Sequence, residues 1–136
     1  VRNVDFVGYV PFDELPRYYA SCDLFCAPSI GRESFGIVLL EAMAARRPVV
    51  AGDIPGYASV LTNGREGLLV PPKAPQALAL AIVRLLADRE LGRRLGAAGA
   101  ETAARYAWPA IAGRVLEHYE RSMRGAAVAP RQRGFA

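Results

Sequence analysis

Two glutamates, Glu33 and Glu41, stand with seven residues between them in the stretch GRESFGIVLLEAMAARRPVV, residues 31–50. Between Phe35 and Ala45 the only charge is Glu41, flanked by Ile37, Val38, Leu39, Leu40, Met43, Ala44 and Ala45. Apolar residues all round a helix mark it as buried, and an ionised carboxylate there is costly unless something hydrogen-bonds it. Nothing nearby in sequence is an obvious partner, so the pattern points to a ligand. A helix rises roughly 12 Å over eight residues. A ligand lying along it would meet Glu33 with one end and Glu41 with the other, and carboxylates suit hydroxyl-rich ends because charge-assisted bonds are the stronger kind. Between the two acids, the N–H groups of Ser34, Phe35 and Gly36 fall at an expected helix start. Four unpaired donors and about half a positive charge make such an end an anion site. Gly36 removes a side chain where a phosphate would approach. A nucleotide-sugar has this layout: sugar, diphosphate, ribose. Two plainer readings stay open: Glu33 as an acid favoured by the helix dipole, and Glu41 as a glutamate reaching solvent from a mostly buried helix.

The elements that must position these residues alternate between short apolar runs and helical patterns. VDFVGYV (4–10) reads as a strand, and Asp13 as the cap of a helix through ELPRYYASC, with Pro16 in its tolerant first turn. DLFCAP (23–28), RPVVAGD (47–53) and GLLVP (67–71) read as further strands. The helix bearing Glu41 is expected over 35–45, a short one in IPGYASVLT, and a turn at Asn63-Gly64. Two helices follow at about 75–87 and 89–106, the first with a stripe of Leu78, Ile82, Leu85 and Leu86. A last helix begins at Trp108, with Pro109 in its first turn. Strands separated by helices imply βαβ units and a parallel sheet covered on both faces. Ligands of such sheets bind at the carboxyl ends of strands, which is where residues 28–36 fall.

Composition narrows the partners. The chain has 136 residues, 52% hydrophobic, enough for a core. No apolar run approaches the roughly 20 residues that span a bilayer, and no signal peptide opens the chain. The first residues begin almost inside a strand without an initiator Met, which reads as a piece of something longer. The net charge is +4, yet residues 1–120 hold 13 basic and 13 acidic residues; the excess is Arg121, Arg124, Arg131 and Arg133. A balanced body with a basic tail is not a groove that tracks nucleic-acid phosphates. A solvated tail is expected, with weak attraction to acidic lipid as the lesser reading. Cys22 and Cys26 lack CxxC spacing and the lone His118 lies far from both, so no metal site is expected. Free thiols suit a reducing compartment. Lys73, in VPPKAP, is a poor anchor for a lysine-linked cofactor.

The stretch LPRYYASCDLFCAPSIGRESFGIVLLEAMAARRPVVAGDIPG closely resembles the E-x7-E region of family 4 retaining glycosyltransferases, which have the GT-B fold. The likeness is greatest to phosphatidylinositol mannosyltransferase-type members, in ESFGIVLLEAMAA, and runs from Val4 to about Met123. The resemblance implies the later part of a GT-B C-terminal domain: an incomplete Rossmann-like parallel α/β sheet followed by C-terminal helices. Residues 1–124 would be a partial donor-binding domain and residues 125–136 a basic, disordered tail. By the same resemblance Glu33 would contact hydroxyls of the transferred sugar and count as the catalytic residue. Glu41 would hold the ribose, and the backbone of Ser34, Phe35, Gly36 and Ile37 the sugar and diphosphate. The turn after the first strand, with Tyr9, Val10 and Pro11, would line the base pocket.

The chemistry so implied is sugar transfer with retention from a nucleotide-diphosphate donor, GDP-mannose being the guess, without a cofactor or an essential metal. The acceptor, a lipid or glycan, would be bound by an N-terminal domain outside this chain. The implied location is the cytoplasm, with peripheral contact at the inner face of the membrane. Alternatives are a nucleotide-sugar-binding module that never catalyses and a GT-B-like nucleotide-sugar epimerase. Two positions depart from the family: Arg46, where a Gly is usual, and Ser59, where many members have Glu. In the family's strand order, 3-2-1-4-5-6, the four strands expected here correspond to 3, 4, 5 and 6. The first would then lack its neighbour, or slide across to pair with DLFCAP.

Overall fold

The computed structural model describes residues 3–126, which divide into two compact units, up to Ala104 and from Arg105 onward. In the first unit three short apolar runs form β1 (Phe25–Ala27), β2 (Val49–Gly52) and β3 (Gly67–Val70). They pair in parallel in the order β1-β2-β3, with Phe25 opposite Val49 and Val49 opposite Gly67. All four residues of β2 are buried, which is why its sequence is a continuous apolar run rather than an alternating one. The connections are helical: α1 (Leu15–Ser21) precedes β1, α2 (Ile37–Ala44) joins β1 to β2, and α3 (Pro55–Ala58) leads toward β3. Then come α4 (Pro75–Ala87) and α5 (Arg89–Ala104). The result is the Rossmann-like parallel α/β arrangement expected.

Helix α2 is held between layers. Leu39 and Met43 on α2, Val49 and Val50 on β2, and Leu95 on α5 have no exposed surface. Each large apolar side chain so buried contributes roughly 1.5–3 kcal/mol. Close approach of α5 requires Gly96, where a Cβ would lie 2.3 Å from the Arg46 carbonyl oxygen. A second part of the core joins Val50, Leu68, Val70, Ala81, Leu85, Leu91 and Leu95, with Leu78 and Ile82 of α4 packed against it. Leu86, expected in that stripe, is exposed and Ala81 takes the inner place; the outermost of four stripe positions turns past the sheet. The α4 chain ends at Asp88, whose Oδ1 accepts from the Leu91 N–H at 2.9 Å and so caps α5.

One buried charge went unforeseen. Glu66 is 2% exposed, yet its carboxylate accepts from the Thr62 N–H at 2.9 Å and the Thr102 hydroxyl at 3.0 Å, with Arg65 Nε at 3.4 Å. It ties the turn before β3 to α5, and its partners meet the cost of burying a charge. Asn63 and Gly64 form the expected turn, Gly64 at φ +78°.

Three expectations fail locally. Residues 4–10 form no strand and pair neither with β1 nor with any other described strand; Phe6 and Tyr9 are 95% and 89% exposed. The apolar run is strand-like, but a strand needs a ladder partner for its N–H and C=O groups, and none lies beside this segment among the described residues. Asp13 caps nothing: α1 starts after Glu14, without a side-chain cap bond, because the Pro11 carbonyl takes the Glu14 and Leu15 N–H groups at 3.0 and 3.1 Å. Helix α2 starts at Ile37, not Phe35. The second unit holds α6 (Trp108–Ala126), which continues past the expected end near Met123. Most of the expected tail, residues 127–136, lies outside the described residues.

Arg46 sits at φ +58°, in the left-handed region, just past α2. A Cβ there costs about 1–2 kcal/mol that Gly avoids, while a cation beside the helix C-terminus returns part of it. Arg46→Gly is therefore expected to be neutral or stabilising by up to about 1 kcal/mol in a denaturant melt. Clear destabilisation would show that the Arg46 side chain makes a contact worth more than the strain.

Candidate functional site

The loop from the carboxyl end of β1 into α2 is locked by backbone contact with the next loop. A Cβ on Gly52 would lie 2.3 Å from the Ser29 carbonyl oxygen, and one on Gly56 would lie 2.1 Å from that of Glu33. The Tyr57 hydroxyl donates to Ser29 Oγ at 3.1 Å across the same seam. Gly36 adopts φ +84°, and a Cβ there would come within 2.7 Å of the Tyr57 ring. Glycine at 36 thus meets a left-handed backbone and a packed ring.

Glu33 folds back on the loop. Its Oε1 accepts from the N–H groups of Ser34 at 3.1 Å and Gly36 at 3.3 Å. Of the backbone donors expected to face an anion, two are occupied by this carboxylate, and Ser34, Phe35 and Gly36 all precede the helix. Ile37 is its first residue, and its side chain is exposed. The N–H groups of Ile37 and Val38 belong to the leading amides that a helix cannot satisfy internally.

Glu41 has a partner that its neighbours in sequence did not offer. The Tyr19 hydroxyl on α1 donates to Glu41 Oε2 at 2.8 Å, and the Tyr19 ring stacks edge-on against Phe25 at 5.3 Å. Burial, then the bond to Glu41 and its charge, push the Tyr19 hydroxyl well above the ordinary tyrosine value. Glu41 and Tyr19 line a cavity of about 460 Å³ with Phe12, Leu15, Pro16, Ala20, Ala44 and Ala45. Of the segment expected to line a base pocket, Tyr9 is exposed, and Tyr9, Val10 and Pro11 are absent from this lining; the next residue, Phe12, is present. Phe12, Leu15 and Tyr19 were missed by sequence reasoning. The signal was there: Leu15 and Tyr19 share a face of one helix, and a carboxylate on an apolar helix demands a donor.

A smaller cavity of about 150 Å³ opens at the carboxyl ends of the strands, between Ser29, Gly52, Val70 and Lys73, the last at φ +61°. Among the described residues no three His, Cys, Asp or Glu side chains cluster as a metal site would require. Cys22 and Cys26 are unpaired, and burial raises both thiols above their usual value.

Residues 2–102 match the family described as "Glycosyl transferases group 1". The chain belongs to the group 1 glycosyl transferases. A phosphatidyl-myo-inositol mannosyltransferase of Mycobacterium leprae is 46% identical over 120 residues, 88% of this chain and 32% of that protein. Sucrose-phosphate synthase from Thermosynechococcus elongatus superimposes with a TM-score of 0.80 at 38% identity, covering 89% of this chain and 30% of that one. Anabaena HepE in complex with UDP and glucose also gives 0.80, at 29% identity, over 88% of this chain and 32% of that chain. This group 1 chain spans about a third of the length of the curated relatives it matches.

Tyr19→Phe removes the hydroxyl that donates to Glu41 Oε2 and is expected to cost about 1–2 kcal/mol at neutral pH. The folded-state value of the Tyr19 hydroxyl is raised. The stability from that shift is therefore present below the unfolded value near pH 10 and drains away as pH rises further. Denaturant melts of both proteins are expected to converge above about pH 10; a gap independent of pH would show that the cost lies in packing.

Proposed function

We propose that this chain forms part of the donor-binding domain of a retaining glycosyltransferase that moves a sugar from a nucleotide-diphosphate sugar to a lipid or glycan acceptor. The observation that carries the reading is the pair of carboxylates at one helix, Glu33 on its leading backbone and Glu41 in a 460 Å³ cavity. The family match adds to it, as does the likeness to HepE, whose structure holds UDP and glucose. The names of the relatives are transferase names and favour neither the binding-module nor the epimerase alternative. The mannosyltransferase relatives make GDP-mannose the first donor to try.

Each residue has a part in this reading. Glu41, held in orientation by Tyr19, accepts from the ribose hydroxyls. The backbone N–H groups of Ser34, Phe35, Gly36 and Ile37 take the sugar and the diphosphate. Glu33 cannot keep its bonds to Ser34 and Gly36 while a diphosphate uses them, since two anions compete for the same donors. It turns instead to the sugar hydroxyls. Tyr9, Val10 and Pro11 with Phe12 border the base. The acceptor oxygen bonds the anomeric carbon as the bond to the diphosphate breaks, and the departing diphosphate takes the acceptor's proton on the same face. Positioning and stabilisation of charge on the leaving group supply the rate; no metal is required. The acceptor binds to a domain supplied by the longer protein. The proposed site of action is the cytoplasm, peripheral at the inner face of the membrane; no helix among the described residues is long and apolar enough to cross one.

Glu41→Ala in the full-length enzyme is expected to raise the donor KM, because ribose is held equally in ground and transition states. Glu33→Ala is expected to lower kcat chiefly, because the sugar's bonding changes during reaction. Wild-type kinetics in both variants would overturn the assignment.

A further inference from the structure

At the opposite end of the sheet, beside the amino ends of β1 and β2, lies a second cleft of about 560 Å³. Its walls carry Arg46, Arg47, Arg89 and Arg93, with Asp23 the one acid among the lining residues and Pro48, Leu85, Leu86 and Gly92 the rest. Arg93 is bonded to Glu90 at 2.7 Å on the outer surface, where both side chains are exposed. Arg47 donates from Nη2 to the Ala20 carbonyl, but its Nε is the one buried side-chain polar atom without a partner among the described residues. Arg46 is held in the left-handed region.

Helix dipoles account for only half of this charge. Arg46 and Arg47 follow the C-terminus of α2, where a cation is favoured; Arg89 opens α5 and Arg93 stands one turn later, near an N-terminus that disfavours one. Four arginines with a single acid in the lining of one cavity, and one guanidinium N–H buried without a partner among the described residues, fit an anion as the missing member. Guanidinium forks match phosphate oxygens two at a time. The volume is many times that of a water molecule, about 30 Å³, and the apolar wall of Pro48, Leu85 and Leu86 leaves room for the body that carries the phosphate.

We propose that this cleft binds a phosphomonoester, at a site that includes neither Glu33 nor the residues of the Glu41 cavity. The phosphate could be carried by a lipid head group or by a soluble metabolite, and two probes tell these apart. The full-length protein is titrated calorimetrically with glycerol 3-phosphate, and sedimented with phosphatidylcholine vesicles with and without phosphatidic acid. Binding of glycerol 3-phosphate supports a soluble ligand; binding of the phosphatidic acid vesicles alone supports a head group. In either case Arg89→Gln combined with Arg93→Gln is expected to weaken binding about tenfold or more, with nucleoside diphosphate binding unchanged. Should that double variant fail to fold, Arg46→Gly carries the test, since it removes a cation and relieves strain; it too is expected to weaken binding. No binding of either probe by the unaltered protein, or equal binding by folded variants, overturns the proposal.

Discussion

The carboxyl-end site depends on backbone pressed against backbone. The carbonyls of Ser29 and Glu33 lie where the side chains of Gly52 and Gly56 would otherwise begin, so the loop after β1 has one place to go. Protein interiors are packed densely enough that a single added methyl there moves the loop rather than being absorbed. The candidate site follows from that placement: the direction in which Glu33 leaves the chain, the left-handed turn at Gly36 under the Tyr57 ring, and the point at which α2 begins. Helix α2 in turn is fixed by Leu39 and Met43, which leave no freedom to slide.

On this rigid base the two glutamates are in different states of readiness. Both have intramolecular partners, so a ligand exchanges bonds rather than making them where none existed, and only the difference contributes to affinity. The Tyr19 hydroxyl occupies one oxygen of Glu41 and orients the other. A donor that meets Glu41 finds its acceptor already aimed, which lowers the ordering cost of binding. Glu33, by contrast, satisfies the Ser34 and Gly36 N–H groups, which the proposed function assigns to a diphosphate. In the proposed enzyme it therefore acts as a stand-in anion until the donor arrives, and its movement couples occupation of the diphosphate site to formation of the sugar site.

The order of elements from DLFCAP to the end of α5 was legible because each strand there is a continuous apolar run between helical patterns, and Pro, Gly and Asp mark the ends. The segment 4–10 was not, since an apolar run reports what a strand would bury and says nothing about whether a partner strand lies beside it. Glu41 stood out by its apolar surroundings, but its partner lies 22 residues away on another helix, a distance over which periodicity carries no information. Glu66 was missed for the same reason in stronger form: in TNGREG it looks like an exposed turn residue, and only the packing of α5 makes it buried. Gly36 has a cause that sequence did not show, the Tyr57 ring packed against it. A glycine in a loop shows that something is close or that φ is positive, not which atom is close.

Strain follows the same geography. Arg32, Arg46 and Lys73 all adopt φ near +60°, a conformation that costs a residue with a Cβ about 1–2 kcal/mol. Each lies in a loop at an end of the sheet, and each is a long cation. Arg32 immediately precedes Glu33, Lys73 lines the small cavity at the strand ends, and Arg46 lines the arginine cleft. Glycine would relieve the backbone at all three places, but it would carry no charge. At Arg46 and Lys73 the left-handed backbone and a cation coincide at the edge of a cavity. That is the pattern expected where loops are shaped by what they hold rather than by their own stability. It sets Arg46 and Lys73 apart from Gly64, whose equally left-handed turn between α3 and β3 lines none of these cavities and carries the residue that suits the backbone.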